Sequence, residues 1–286
     1  MAALLIFSAI IAPLPAKADS KTVELAPSSP WHVDWTKTTC QMRRGFGAKE
    51  DFLILQFERF APGDQFQLVV IGNLLRQLRQ GNRLSVSYGS GAPIKIGYFF
   101  AGKTAKGTPT IFIPSSSIAQ ESDKDQDEAI VTVTSEMEAA VKAVSLSWSG
   151  KTLTINTGPL DKAFAALRAC TDDLVKMWGL DPEEQKTLSR RPTPTTSPGR
   201  WLKPGDYPGP ELRAGKQGIV NFWLGIDASG KPTECEIQRS YSDEAFDIAT
   251  CKALMRKARF EPALDADGKP VPSFYANTVN FLIPGF

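Results

Sequence analysis

The chain has 286 residues, with 33 Lys and Arg against 31 Asp and Glu, for a formal net charge of +2. That balance gives no electrostatic reason to invoke nucleic acid or an anionic membrane surface as a partner, and neither is expected. The length exceeds what one ordinary domain needs, and apolar residues are spread through most of it, so two modules are expected, each able to bury its own core.

Residues 1–20 run apolar from Ala2 to Leu14 and then reach Ala16-Lys17-Ala18, the small-x-small pattern at which leader peptides are cut. The expectation is a signal peptide over 1–18, cleavage after Ala18, and a periplasmic protein with no stable membrane anchor once the leader is gone. A buried N-terminal helix or an uncleaved anchor are the alternatives; the apolar run is shorter than the roughly 20 residues a spanning helix needs.

Residues 19–180 read as a mostly antiparallel β module closed by a helix. From Trp31 to about Gly158 short β-rich runs, DFLILQFERF, GDQFQLVVIGN, RLSVSYG, PIKIGYFF, TPTIFIP and AIVTVT, are broken by Gly, Pro, Asn or Ser. The charged run Glu121 to Glu128 reads as a solvated loop. SEMEAAVKAVSLSW suggests a short helix or a strand edge, and KTLTINTG a last strand. Pro159 then opens a helix with Phe164, Leu167, Leu174 and Val175 near helical spacing and Gly179 at its end.

The four cysteines, Cys40, Cys170, Cys235 and Cys251, are an even count in a chain read as exported, which points to two disulfides. Three pairings are possible. Two cysteines fall in each module, so Cys40 with Cys170 and Cys235 with Cys251 is the economical choice; four buried free thiols are the alternative. No CxxC occurs and the single histidine, His32, has no cysteine near it, so neither a metal nor a cofactor is expected.

Residues 181–204 open a proline-rich stretch, with seven prolines between Asp181 and Pro210, and read as an extended, semi-rigid linker. Its Pro-x-x-Pro elements suit grooves that bind polyproline helices, although a spacer is the commoner use.

Beyond it, in residues 205–286, Val220, Phe222, Leu224 and Ile226 alternate onto one strand face, a turn at Asp227-Ala228-Ser229-Gly230 reverses the chain, and KPTECEIQRS returns. Ser242 is expected to cap a helix, with Asp243, Glu244 and Asp247 near its start and Arg256, Lys257 and Arg259 near its end, the arrangement the helix dipole favours. After a turn at Ala266-Asp267-Gly268-Lys269 a third strand carries Val279, Phe281 and Ile283 on one face. The order is strand, strand, helix, strand, and the whole chain is therefore α+β.

Six short motifs in this region occur together in order. They are Tyr207-Pro208, Gly218-x-Val220, Asp227-x-x-Gly230, Phe246-Asp247-x-Ala249, Arg259-Phe260-x-Pro262-Ala263, and Asp267-Gly268-Lys269-Pro270-Val271. The C-terminal region that carries them resembles the C-terminal domain of the TonB energy transducers. The motif residues are scaffold positions, glycines for turns and a proline of fixed φ after the helix, and carry no reaction chemistry. The resemblance implies a small antiparallel sheet with one packed helix. It also implies a protein or peptide partner, such as an outer-membrane receptor segment paired with a sheet edge, and a link to TonB-dependent transmembrane transport. The last strand is then the expected docking edge, through Asn277, Thr278, Val279, Asn280, Phe281 and Leu282. The oligomeric state is left open.

Catalytic readings are weak. Gly97 to Thr104 matches GxxxxGK[ST], yet it runs into another strand-like segment instead of a helix whose amides would face phosphate. His32 is the one base available to a nucleophilic triad and reads as structural. Asp172-Asp173 and Glu183-Glu184 are sequence neighbours that point to different helix faces. The chain is thus read as a non-enzymatic binding protein; the alternative is an envelope enzyme or ligand-binding protein whose active part is the β module. A pocket of converging, pKa-shifted carboxylates there would favour the alternative.

Overall fold

The alternation of apolar residues builds most of the chain as strands. The computed structural model describes residues 21–119 and 132–283; the expected leader, its cleavage site and the acidic run Glu121 to Glu128 lie outside the described residues. In chain order the first module contains β1 (Lys21–Leu25), β2 (His32–Trp35), β3 (Cys40–Phe46), β4 (Leu53–Arg59) and β5 (Phe66–Gly72). It continues with β6 (Leu84–Tyr88), β7 (Ile94–Ile96), β8 (Phe100–Lys103), β9 (Pro109–Ser116), α1 (Ser135–Ala140), β10 (Val144–Trp148), β11 (Lys151–Ile155) and α2 (Asp161–Met177).

These strands form two sheets, one in the order β1-β11-β10-β6-β7 and one in the order β2-β3-β4-β5-β9-β8. All pairs are antiparallel except β1 with β11. One core joins them: Leu55, Val70 and Ile111 from the second sheet, Val86, Leu146 and Leu153 from the first, and Phe164 and Leu167 from α2. The Cys40–Cys170 disulfide, with Cα atoms 5.9 Å apart, ties β3 to α2.

Three local expectations change. Strands β1 to β3 were not legible as separate runs. Residues Thr132 to Thr134 of AIVTVT are not strand; Thr134 is instead the N-cap of α1, its hydroxyl accepting from the Met137 amide at 3.3 Å. PIKIGYFF divides into β7 and β8, which belong to different sheets.

The proline-rich stretch does not stand clear as a spacer. It contains α3 (Pro182–Lys186), β12 (Thr193–Pro194) and α4 (Gly209–Arg213), and it is anchored to the C-terminal unit along its length. Arg190 donates to the Pro262 carbonyl at 3.1 and 3.2 Å, and β12 pairs with residues 260–261. The Trp201 ring is buried 5.4 Å from that of Phe260. Trp201 adds apolar area to the C-terminal core, and the Arg190 bonds and the β12 pairing share in offsetting the cost of ordering the chain.

The C-terminal unit has β13 (Gly218–Ile226), β14 (Pro232–Ser240), α5 (Glu244–Lys257), β15 (Phe260–Glu261), β16 (Ala263–Leu264), β17 (Pro270–Val271) and β18 (Ser273–Phe281). Its main sheet is antiparallel in the order β14-β13-β18. Helix α5 covers one face, over Phe222, Leu224 and Val220, and Cys235–Cys251 joins it to β14 with Cα atoms 5.7 Å apart. The helix begins one residue later than the capping reading placed it: Asp243 occupies the N-cap and the Ser242 hydroxyl pairs with that of Ser240 at 2.7 Å. Gly230 is required as glycine. Its φ is +80° and a Cβ there would stand 1.9 Å from the Phe260 carbonyl oxygen.

The face of the sheet away from α5 packs on the first module. Ile219 meets Val69 and Phe112, while Trp223 and Phe274 meet Val175 and Trp178. The Trp178 ring lies 5.1 Å from that of Trp223 and 5.0 Å from that of Phe274.

Candidate functional site

Main-chain geometry of the third strand defines the site. The Tyr241 amide donates to the Ile219 carbonyl at 3.0 Å, which turns the main-chain groups of Ile219 toward β14, and Ile219 is the register partner of Asn280. Alternate residues of an antiparallel strand direct these groups to opposite sides. Those of Ala276, Thr278 and Asn280 therefore face away from β13. The Thr278 amide agrees, since it donates to the Asn277 Oδ1 at 2.7 Å. Among the described residues no strand lies beyond β18, so this edge carries main-chain groups outside any ladder, of the kind that accept an added strand, and the Thr278 amide would exchange its Asn277 acceptor for one on that strand.

The expected docking residues divide by face. Thr278 is turned to the first module, where its hydroxyl donates to Asn221 Oδ1 at 2.7 Å. Val279 and Phe281 pack on the α5 side with Phe246. Asn277 and Asn280 are exposed, and Leu282 lies past the strand end, 41% exposed. Cys40, Cys170, Cys235 and Cys251 are all bridged and lie away from this edge, as structural ties.

A groove borders the edge, with a cavity of about 400 Å³ between β18 and the first module, lined among others by Glu58, Gly63, Asp64, Gln67, Asn221 and Thr278. It continues into a wider depression that shares Gln65, Pro114, Ser115 and Asn280 with it and reaches β7. Its floor is the polar part of the contact between modules. Gln67 Nε2 donates to Asn221 Oδ1 at 2.6 Å. Gln238 Nε2 donates to the carbonyls of Phe60 and Thr38, at 2.5 and 3.1 Å. Glu58, fully buried, lies 2.6 Å from Arg239 Nε and accepts from the Tyr241 hydroxyl at 3.2 Å. The Glu58–Arg239 approach is off the hydrogen-bond axis and leaves both atoms without an aligned bond, so charge holds this pair. Burial pushes the Glu58 carboxyl up to about 6, against the opposing pull of Arg239 and of the Tyr241 hydroxyl. Burial likewise raises Tyr241, with the Glu58 charge adding to it.

None of Glu58, Gln67, Asn221 and Arg239 was picked out from the sequence. The available clue was a polar residue inside an apolar run, Asn221 in GIVNFWLG and Gln67 in FQLVV, which marks a strand face turned to another polar surface instead of to solvent.

The catalytic candidates are not brought together. Gly97 to Thr104 enters strand β8 and a turn in which the Gly107 amide donates to Thr104 O at 2.8 Å, with no helix to hold phosphate. His32 lies on the exposed strand β2, 2.8 Å from Asp34. Asp172 and Glu183 are both bridged by Lys186, at 2.7 and 2.9 Å, in an exposed network. Among the described residues no cluster of His, Cys, Asp and Glu has metal-binding geometry, and no helix is long and apolar enough to cross a membrane.

Comparison with known families places residues 203–283 in the Gram-negative bacterial TonB protein C-terminal family. No curated protein matches the chain. The matched stretch holds β13 to β18 and α5, so the family's scaffold motifs fall where the structure uses them: Gly230 against Phe260, Phe246 beneath Tyr207 with ring centroids 5.5 Å apart, and Gly218 where a Cβ would meet Ser242 at 2.9 Å.

Proposed function

We propose that this chain is an exported periplasmic protein that holds an extended segment of a partner protein, of the kind an outer-membrane receptor presents, as an added strand on the free edge of β18, in support of TonB-dependent transmembrane transport. The observation that carries the reading is the set of outward main-chain groups at Ala276, Thr278 and Asn280 beside an open groove. Membership of residues 203–283 in the TonB C-terminal family supports a binding role without reaction chemistry. Two disulfides among the described residues, with no free cysteine, suit an oxidising compartment. A catalytic role for the first module draws little support: Glu58 is the carboxyl there that burial raises, and it is committed to Arg239 and Tyr241.

Amide exchange on the full chain, with and without an extended receptor-type peptide, tests the docking. Protection should appear at Thr278 and Asn280, whose amides face outward, and Thr278→Pro should weaken binding by removing one ladder donor. Exchange on β18 that no such peptide changes would reject the reading. For export, the intact mass of the periplasmic protein should begin at Asp19; recovery of the uncleaved chain in the cytoplasm would end that part of it.

A further inference from the structure

The near-neutral total charge conceals a local excess. Residues 65–120 hold six Lys and Arg and no Asp or Glu, although Asp and Glu number 31 over the 286 residues. Three of those cations, Arg76, Arg79 and Lys103, line one open cavity of about 730 Å³ in the first module, and among the described residues no Asp or Glu lines it. This cavity shares no lining residue with the groove beside β18 or with the depression that continues it, so nothing about it depends on strand addition.

Both walls are fixed by the fold. On one side Leu75 and Leu78 are buried in the core, the Leu78 amide donates to the Leu75 carbonyl at 2.9 Å, and the Arg79 amide donates to Asn82 Oδ1 at 2.7 Å. The Arg79 guanidinium donates to the Arg76 carbonyl, which keeps the two arginines adjacent. On the other side lies β8, the outer strand of its sheet. The Thr104 amide donates to the Thr108 carbonyl at 2.9 Å, so the main-chain groups of Thr104 and Gly102 turn to β9 and those of Ala101 and Lys103 turn outward. The Ala101 amide agrees, since it donates to Gln80 Oε1 at 3.2 Å, on the wall that carries the arginines. The Lys103 amide faces the same way, outside the ladder. Among the described residues Arg76, Arg79 and Lys103 form no ion pair, even with Glu50 and Asp51 on the short turn at Lys49–Asp51 that packs against Asn73–Leu75.

We propose that this cavity binds a terminal phosphate group, carried by a soluble phosphomonoester or by a lipid headgroup. Three positive charges exceed what one carboxylate neutralises, whereas a phosphomonoester brings a charge of about −1.5 to −2 and three strong acceptor oxygens. Guanidiniums grip such oxygens two at a time, and the Lys103 ammonium and amide add further donors. A cleft lined by one sign of charge also concentrates its counter-ion, an effect that the total charge of the chain does not report. Lys103 is the lysine of the Gly97 to Thr104 match. Side-chain cations and one strand amide here take the place of the helix that match lacks, so the site suits a phosphate group without the cradle a nucleotide needs.

The test titrates the full chain with glycerol 3-phosphate and follows amide chemical shifts by NMR, which should move saturably at Lys103 and across residues 76–80. Arg76→Gln and Lys103→Gln, both at exposed positions that the fold does not rely on, should each weaken the affinity about tenfold through loss of a charge-assisted contact. Arg83→Gln removes a cation of the same run from outside the cavity and should change the affinity by less than about twofold. Cosedimentation with phosphatidylcholine vesicles, with and without phosphatidic acid, separates the two carriers. Pelleting that needs phosphatidic acid and is lost in Lys103→Gln supports the site with a lipid headgroup as its ligand; saturable glycerol 3-phosphate binding without pelleting supports it with a soluble phosphomonoester. Neither saturable shifts nor pelleting would overturn the site, as would an affinity that Arg83→Gln lowers as much as Arg76→Gln does, since diffuse surface charge would then suffice. An equal response to acetate would overturn the assignment to phosphate.

Discussion

Replacing Glu58 with Gln removes a charge buried between the two modules while keeping the shape and one acceptor for the Tyr241 hydroxyl. Burial raises the Glu58 carboxyl from 4.5 to about 6, and at about 1.36 kcal/mol per unit this amounts to about 2 kcal/mol. The folded protein holds this proton more tightly than the unfolded chain. The stabilisation is therefore fully present below pH 4.5 and is lost as the pH rises through about 6. Arg239 stays charged throughout, so its loss of a partner in the variant shifts the variant's stability by an amount that does not change over this range. The diagnostic is the slope. Urea unfolding of both proteins at intervals from pH 4.5 to about pH 7.5 should show the parent losing about 2 kcal/mol relative to Glu58→Gln. A difference that stays flat, or that favours the parent as pH rises, would mean that attraction to Arg239 outweighs desolvation and would refute the argument.

Three further outcomes follow from the packing. Replacing Cys235 and Cys251 by Ser opens a loop with a sequence separation of 16 and should cost about 3 kcal/mol by the chain-entropy estimate, read from the urea midpoint of the non-reduced proteins. Trp201→Ala should cost about 3–5 kcal/mol although it lies in the proline-rich stretch, because its ring is buried against Phe260 and Tyr275; a loss below about 0.5 kcal/mol would return that stretch to the status of a spacer. Gly230→Ala should lower the thermal midpoint sharply, since its Cβ would meet the Phe260 carbonyl at 1.9 Å from a backbone with φ +80°; an unchanged midpoint would contradict the turn geometry.

The C-terminal unit was legible because its local and global patterns agree. Alternating Val220, Phe222, Leu224 and Ile226, a glycine turn, and a helix with acidic residues first and basic residues last all specify the same small sheet and helix. The first module was legible as a β class and less so as strands. β2 has exposed and half-buried residues in place of clean alternation, and β1 is held by a parallel pairing with β11 across a long stretch of sequence; periodicity detects neither. The proline-rich stretch misled because proline content reports backbone stiffness and says nothing of a single tryptophan docked several residues later. The groove was illegible for a related reason. Its floor joins Glu58 and Gln67 to Asn221 and Arg239, residues separated by 154 positions in the case of Gln67 and Asn221, and no local pattern in one strand names its partner in another.

The covered face bears directly on how a partner is met. β13 is buried on both sides, by α5 over Phe222 and Leu224 and by the first module over Ile219 and Trp223. Separating the modules would expose Trp223, Phe274 and Ile219 together with Val69 and Phe112, an apolar surface of the sort soluble chains rarely leave open. That apolar contact favours the modules remaining packed while a partner binds. The faces of the sheet are then closed, and an incoming segment is left with the edges. On the β18 side that edge stands beside a cavity whose far wall is the first module. On the proposed strand-addition reading the first module would act on recognition without moving, since by occupying the sheet face it would confine a partner to the edge.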